Sequence, residues 1–321
     1  MSGAESRIPV TLVTGFLGSG KTTLLSALLR RPELGRFAVL INEFGEVPLD
    51  QALIGRVEGQ LVVMSGGCLC CAIGGDLVKT LLHLHALRAE KPFERVLIET
   101  SGLADPGPIL APLVQTPDLT ALYRIEGVVA VVDALQGLRE LERQRVSVKQ
   151  VALADRIVLS KSDIAAPLAL ARLRARLAEI NPWAPIATAN HGAVDDAWMF
   201  DPVSARPVSD PACGDGHVSH DHAHSHGIKA FCLWFDTPLT WESFARAVAK
   251  LIESHGEAIL RIKGLLNLDG SPAAIHGVQY FLHPPEPLAA WPDEERRSRV
   301  IVIADRLTEE KVRKFFRMVG G

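Results

Sequence analysis

Residues 15 to 23 have the composition and spacing of a phosphate-binding loop. Gly15 is followed after four residues by Gly20-Lys21-Thr22, which fits the pattern Gly-x4-Gly-Lys-Thr. Glycines let such a loop turn its N–H groups inward, and the N-terminus of the following helix adds positive potential. The lysine reaches the β- and γ-phosphates, and the threonine hydroxyl ligates Mg2+. The sequence therefore predicts a nucleoside triphosphate site formed by Gly15, Gly18, Ser19, Gly20, Lys21, Thr22 and Thr23.

Two later loops carry residue types that suit the rest of such a site. Glu99 ends an apolar run, and Gly102 follows three residues later, as expected for an acid that supports Mg2+ and a glycine near the γ-phosphate. Lys161 and Asp163 follow another apolar run that ends at Ser160. A carboxylate at Asp163 can accept from the ring N1–H and the exocyclic amine of guanine, while the lysine stem packs along the base. Adenine does not present that pair of donors, so the sequence favours GTP over ATP.

Three cysteines lie within four positions, at Cys68, Cys70 and Cys71. Thiolates at this spacing can converge on one soft or borderline cation, and two preceding glycines relieve crowding in the loop. Three thiolates without an obvious fourth ligand leave a coordination position open, which suits a site that accepts and releases metal. A redox-active cysteine cluster and buried cysteines that serve as small apolar groups are the alternatives.

A second group of metal-binding side chains lies in the Pro- and Gly-containing segment 201–227. Neutral imidazoles bind Zn, Ni, Cu and Co ions, so a metal-gathering flexible linker is predicted, with a merely solvated polar linker as the alternative. Its five histidines are His217, His220, His222, His224 and His226.

The predicted secondary structure that positions these groups differs between the two halves of the chain. At 321 residues, with 48% hydrophobic and 22% charged residues, the chain is expected to form two soluble domains. Apolar strand-like runs alternate with helical segments over residues 1–200, which predicts an α/β fold, a three-layer P-loop NTPase domain with a mainly parallel sheet. After the linker at 201–227, residues 228–321 are predicted to form a smaller α+β domain with an antiparallel sheet covered by helices.

Charge and hydropathy exclude several functions. The net charge of −3 gives no reason to expect nucleic acid or a membrane surface as the main partner. No apolar run approaches the roughly 20 residues needed to span a bilayer, and no secretory signal precedes the phosphate-binding loop. Five cysteines, three of them within four positions, are a poor disulfide framework. We therefore expect a cytoplasmic protein.

Five motifs together resemble the CobW-type GTPases, and the likeness covers nearly the whole chain. Residues 228–321 are similar to the CobW C-terminal domain, notably in Ile259-Leu-Arg-Ile-Lys-Gly-Leu-Leu-Asn and Gly277-Val-Gln-Tyr. The motifs, in chain order, are Gly15-Phe-Leu-Gly-Ser-Gly-Lys-Thr-Thr-Leu-Leu, Asn42-Glu-Phe-Gly-Glu, Gly67-Cys-Leu-Cys-Cys, Glu99-Thr-Ser-Gly-Leu-Ala-Asp-Pro and Ser160-Lys-Ser-Asp.

The resemblance implies a GTP-driven metallochaperone related to the nickel-handling GTPases of urease and hydrogenase maturation. It assigns Glu99 with Gly102 to the second phosphate and Mg2+ motif, and Lys161 with Asp163 to guanine. It also assigns the three cysteines to a transition metal, and Glu46 is our candidate for an extra ligand. The chain departs from the usual pattern at Ser160, where GTPases commonly have Asn.

From these motifs we expect a slow GTPase in which Lys21, Thr22 and Glu99 support hydrolysis. It would use GTP/GDP and Mg2+, load Zn2+ (with Co2+ or Ni2+ as alternatives), and deliver the metal to a client metalloprotein. The client is expected to dock near the cysteine loop and the C-terminal domain, and the sequence leaves a homodimer open. The alternative is a metal buffer or sensor that binds nucleotide with negligible turnover. A small-molecule kinase is disfavoured because no arginine-rich lid is recognisable.

Overall fold

The computed structural model describes residues 7–31, 34–41, 61–65, 75–200, 227–317 and 319. The chain divides into two compact units. The first comprises Met1–Arg174 and Ala184–Asp201, and the second comprises Ala175–Trp183 and Pro202–Gly321.

The first unit is built on one sheet of seven strands, all paired in parallel. The strands are β1 (Ile8–Thr14), β2 (Phe37–Ile41), β3 (Leu61–Ser65), β4 (Arg95–Glu99), β5 (Tyr123–Asp133), β6 (Arg156–Ser160) and β7 (Ile186–Thr188). Their order in the sheet is β3-β2-β4-β1-β5-β6-β7, so β1 is central and has β4 and β5 as neighbours.

Helices connect these strands, as a parallel sheet requires. They are α1 (Lys21–Leu29), α2 (Gly75–Leu87), α3 (Gly107–Gln115), α4 (Pro117–Leu122), α5 (Gly137–Arg143), α6 (Arg145–Leu153), α7 (Pro167–Ile180) and α8 (Asp196–Phe200). One core cluster joins alternate strand residues such as Val13, Val39 and Val131 to Leu25 and Leu28 of α1. The strand residues between them are also buried, as expected for a sheet covered on both faces.

The second unit contains an antiparallel sheet. Its strands are β8 (Ile228–Phe235), β9 (Ile259–Leu268), β10 (Ser271–Val278), β11 (Phe281–Leu282), β12 (Glu286–Pro287) and β13 (Ser298–Asp305), in the order β11-β10-β9-β13-β8 with β12 paired to β10. Two amphipathic helices, α9 (Trp241–His255) and α10 (Glu309–Phe316), pack on it through Phe244 and Phe316. The rings of these two residues lie 5.7 Å apart.

The predicted fold class, an α/β P-loop domain plus a smaller α+β domain, is confirmed. The structure gives the connecting helices bounds that the alternating pattern alone did not define. Cys232 is disulfide-bonded, although the cysteine spacing was considered a poor disulfide framework. In the part of the chain that the structure describes, every helix is too short or too polar to cross a membrane.

Candidate functional site

The phosphate-binding loop leaves the carboxyl end of β1 and passes very close to β5. A Cβ atom placed on Gly15 would lie 2.2 Å from the Val131 carbonyl oxygen, so only glycine fits there. Gly15, Gly18 and Gly20 all have positive φ, at 144°, 70° and 94°. Such angles are strained for residues with a side chain. The loop therefore curls tightly around the N-terminus of α1, as an anion cradle requires.

Lys21, the first residue of α1, folds back over this loop. Its Nζ donates to the carbonyl oxygens of Gly15 (3.0 Å) and Phe16 (3.1 Å), and the residue is only 8% exposed. A buried ammonium group attracts anions strongly because water screens its charge poorly. The lysine is thus held inside the loop, where the sequence predicted a phosphate-binding cation.

Thr22 and Glu99 were predicted to act together and are in direct contact. The Thr22 hydroxyl donates to Glu99 Oε1 at 2.8 Å, although 77 residues separate them in the chain. Glu99 ends β4, beside Val13 of β1, and is 4% exposed. A hydroxyl and a carboxylate at the mouth of the loop supply the oxygen donors that Mg2+ prefers.

Gly102 lies directly against the phosphate-binding loop. A Cβ atom placed there would be 2.7 Å from the backbone nitrogen of Leu17. The preceding Thr100 donates through its N–H to Val13 O (3.0 Å) and through its hydroxyl to Thr14 Oγ1 (2.9 Å). The loop that contains Gly102 is therefore fixed to the end of β1, which places this predicted γ-phosphate contact beside the loop.

The predicted guanine motif is tied to the phosphate-binding loop by two consecutive residues. Ser160 Oγ donates to Ser19 O at 2.6 Å, and Lys161 Nζ donates to Gly18 O at 3.0 Å. Lys161 has a positive φ of 53°. Asp163 is exposed and stands apart from these bonds.

Lys161 has an acidic partner that sequence reasoning did not pair with it. Its Nζ lies 2.6 Å from Asp133 Oδ2, and Asp133 Oδ1 accepts from the N–H groups of Leu135 and Gln136. Asp133 pairs with Ser160 across adjacent strands, so the contact follows from strand order, which local patterns do not reveal.

Glu140 on α5 is another acidic group near the loop that the sequence did not single out. Burial raises the pKa of Glu140, and the nearby charge of Asp133 raises it further, whereas Lys161 and Lys21 oppose the rise. With Gly15, Phe16 and Gln150 it lines a small cavity behind the phosphate-binding loop. The charged form of Glu140 is thus disfavoured in the folded protein.

The predicted transition-metal ligands lie outside the described residues. These are Glu46, Cys68, Cys70, Cys71 and the linker histidines His217, His220, His222, His224 and His226. The described strands fix where the two ligand-bearing loops begin. Ile41 at the end of β2 pairs with Ser65 at the end of β3 on one side and with Glu99 on the other. Both loops therefore leave the same sheet edge as the Thr22–Glu99 pair.

Comparison with known families matches nearly the whole chain. Residues 9–188 match the family described as CobW/HypB/UreG, nucleotide-binding domain. Residues 228–319 match the Cobalamin synthesis protein cobW C-terminal domain.

Individual relatives also match this chain over nearly its whole length. Zinc chaperone YjiA of Escherichia coli is 34% identical, with 96% of this chain and 98% of the relative covered. Zinc chaperone CobW of Pseudomonas aeruginosa is 30% identical, with 96% and 90% covered. A crystal structure of Zn(II)-bound YjiA GTPase from E. coli superposes with a TM-score of 0.70 at 30% identity and covers 97% of this chain and 98% of that one.

The fit of Gly15 against β5 predicts unequal effects of adding a methyl group at two glycines of the loop. Gly15→Ala should lower nucleotide affinity by more than about tenfold, because steric overlap of this kind costs about 1–3 kcal/mol in addition to the backbone strain. Gly18→Ala is the matched control, since its φ is also positive but no atom lies within 4 Å of the added Cβ. Isothermal titration with a nucleotide would measure both variants. An equal loss in the two variants would contradict the steric argument.

The raised pKa of Glu140 predicts how its removal affects stability at different pH values. When folding raises the pKa of an acid, the protein loses stability as the pH rises from the ordinary pKa of that acid through its pKa in the folded state. Glu140→Gln should therefore raise the melting temperature at pH 7–8, and the gain should shrink as pH falls toward 4.5. Thermal melts of both proteins across this range would test it. A gain that grows on acidification would show that the sign is wrong.

Proposed function

Because this chain belongs to the CobW/HypB/UreG family and carries a CobW C-terminal domain, we propose that it is a GTP-hydrolysing metallochaperone. In this proposal it loads Zn2+ as cargo on Cys68, Cys70 and Cys71, with Glu46 as an additional ligand. GTP binding and slow hydrolysis control the affinity for the metal. The loaded metal passes to a client metalloprotein that docks near the cysteine loop and the C-terminal domain.

The contact between Thr22 and Glu99 is the observation that carries the proposal. Their 2.8 Å hydrogen bond brings together the residues at which two separate motifs predicted Mg2+ support. Lys21, held over the loop by two carbonyl oxygens, supplies the positive charge at the same place. A hydrolase for the β–γ phosphoanhydride needs these three groups around one phosphate chain.

The oxygen donors of Thr22 and Glu99 fit Mg2+. Both are hard ligands at the N-terminus of α1, and the carboxylate is buried and already hydrogen-bonded. When bound, Mg2+ neutralises charge that develops on the β- and γ-phosphate oxygens. The chain's own residues orient the nucleotide: loop N–H groups and Lys21 hold the phosphates, and Gly102 lies beside the γ-position.

The contacts of the predicted guanine motif, residues 160–163, support guanine as the base. Ser160 and Lys161 are bonded to the phosphate-binding loop, and the exposed Asp163 carboxylate is available to a ligand from solvent. A carboxylate at this position accepts two hydrogen bonds from guanine, whereas adenine does not present that pair of donors. Ser160, which stands where GTPases commonly have Asn, ties this motif to the phosphate-binding loop through its bond to Ser19 O.

Coupling between nucleotide and metal is supported by the adjacency of three strand ends. Glu99, Ile41 and Ser65 stand side by side at the carboxyl edge of β4, β2 and β3. The loops that carry Glu46 and the three cysteines therefore start within two strands of the Mg2+ ligand. A nucleotide that moves Glu99 therefore acts next to the strand ends from which both metal-binding loops start.

Zinc is the proposed cargo because its chemistry suits thiolate ligands, and because two relatives over nearly the full length of this chain are named zinc chaperones. Co2+ and Ni2+ accept the same donor atoms and remain alternatives to be tested by titration. An incomplete set of thiolates suits a protein that must give up its metal, since a closed four-ligand site would hold it.

The tether from Ser160 predicts a measurable loss of nucleotide affinity. Ser160→Ala removes its 2.6 Å hydrogen bond to Ser19 O and should weaken GDP binding about three- to tenfold, as expected for one hydrogen bond. Ser162→Ala is the matched control, because Ser162 belongs to the same motif but is not bonded to the phosphate-binding loop. Titration of both variants with a fluorescent GDP would measure the loss. Equal affinities for the two would refute a role of the tether.

Metal-dependent hydrolysis is the main test of the proposed function. The rate of GTP hydrolysis should change when Zn2+ is titrated at fixed Mg2+, and the response should disappear in the Cys68→Ala/Cys70→Ala/Cys71→Ala variant, because this variant loses the thiolates. Co2+ and Ni2+ titrations would rank the alternative metals. Phosphate release measured with and without each metal gives the result.

A variant with the five linker histidines replaced by alanine is the control for metal bound elsewhere. It should keep the Zn2+ response of the wild-type protein. If metal binds to the three cysteines and the hydrolysis rate stays unchanged, the protein is a metal buffer or sensor and the chaperone proposal is wrong.

A further inference from the structure

Gln150 is a buried amide that bridges α6 and the loop after β4. It is 1% exposed, and its Nε2 donates to Gly102 O and to Ala104 O, both at 3.1 Å. The two hydrogens of one amide group are thus used on two carbonyl groups of the same loop. A shorter side chain, or one without two N–H donors at its end, cannot make both hydrogen bonds.

The same loop is held on its opposite side by the phosphate-binding loop. Gly102 contacts the backbone of Leu17 so closely that an added Cβ would overlap it. Thr100, two residues earlier, is bonded to Val13 and Thr14 of β1. Gly102 is therefore clamped between the phosphate-binding loop on one side and Gln150 on the other.

Gln150 also reaches the back of the phosphate-binding loop. With Gly15, Phe16 and Glu140 it lines the small cavity behind that loop. A shift of the Gly102 loop must either carry Gln150 with it or break two buried hydrogen bonds, and a buried carbonyl without a partner is costly. The amide thus links the position of Gly102 to the packing beneath the phosphates.

We propose that Gln150 is a positioning residue that holds Gly102 where it can meet the γ-phosphate, and so sets the preference of the site for GTP over GDP. The proposal rests on the GTPase function argued above. GDP has no γ-phosphate, so its binding does not need Gly102 in this position. Loss of the two amide bonds should lower the affinity for a triphosphate and the hydrolysis rate, while leaving the affinity for the diphosphate unchanged.

A purely structural role makes a different prediction. If Gln150 only stabilised the packing of α6, its replacement would weaken binding of both nucleotides equally through partial unfolding. The ratio of the two affinities therefore separates the two roles, since it is insensitive to the folded fraction. Ser147, one turn earlier on α6 and lining the same cavity, offers a matched control because it makes no hydrogen bond to residues 99–105.

The experiment compares wild type, Gln150→Met, Gln150→Glu and Ser147→Ala. Met matches the length of Gln without its N–H groups and loses both bonds to the two carbonyls, whereas Glu has at most one donor, when protonated, and loses at least one of them. For each protein, titrations with GDP and with the slowly hydrolysed analogue GTPγS give the affinity ratio, single-turnover hydrolysis of GTP gives the rate, and thermal melts monitor folding.

Both Gln150 variants should lower the GTPγS-to-GDP affinity ratio and the hydrolysis rate about tenfold, with the GDP affinity within about twofold of wild type. Ser147→Ala should leave all three values unchanged. An unchanged ratio in either folded variant overturns the positioning role while the GTPase function stands. Wild-type protein that binds neither nucleotide overturns both. If the Met variant does not fold, the Glu variant decides by the same ratio.

Discussion

The structure of the first unit depends on the close approach of Gly15 to the Val131 carbonyl of β5. This contact sets the height of the phosphate-binding loop above the sheet, and it is possible only because the residue has no side chain. The other groups of the site are then attached to that loop: Lys21 through Gly15 O, Lys161 through Gly18 O and Ser160 through Ser19 O. The candidate site is one backbone loop held in place by its neighbours.

The two lysines beside this loop have different kinds of partner. Lys161 is paired with Asp133, a buried carboxylate whose other oxygen already accepts from two backbone N–H groups. The Nζ of Lys21 donates to the carbonyl oxygens of Gly15 and Phe16 and so lies inside the phosphate-binding loop. Lys161 is thus paired with a carboxylate, whereas the buried ammonium group of Lys21 adds positive potential inside the loop. Burial makes the second effect strong, since charge in a poorly solvated site is weakly screened.

Local sequence patterns predicted the parts of this site whose residues follow a motif of fixed spacing. The phosphate-binding loop, the pairing of Thr22 with Glu99 and the Lys161–Asp163 motif follow from glycine geometry and from strands that end at one edge. The contacts of Asp133, Glu140 and Gln150 could not be predicted, because the first depends on strand order and the other two on which helix packs behind the loop. Gln150 lies 48 residues beyond Gly102, on a helix with no apolar run that marks it. Its neighbours on α6 give no sign that an amide there would bond a distant loop.

Strand order also limits the coupling that we propose between nucleotide and metal. Glu99, Ile41 and Ser65 share one row of the sheet, so the proposed coupling has to cross two strand spacings of about 5 Å each. A hundredfold change in metal affinity between nucleotide states requires a coupling free energy of about 2.7 kcal/mol. One charge-assisted hydrogen bond, such as that between Thr22 and Glu99, contributes about 1.5–3 kcal/mol. Making or breaking this one bond is therefore of the right size for the proposed coupling, and a larger coupling would require further contacts to change with the nucleotide.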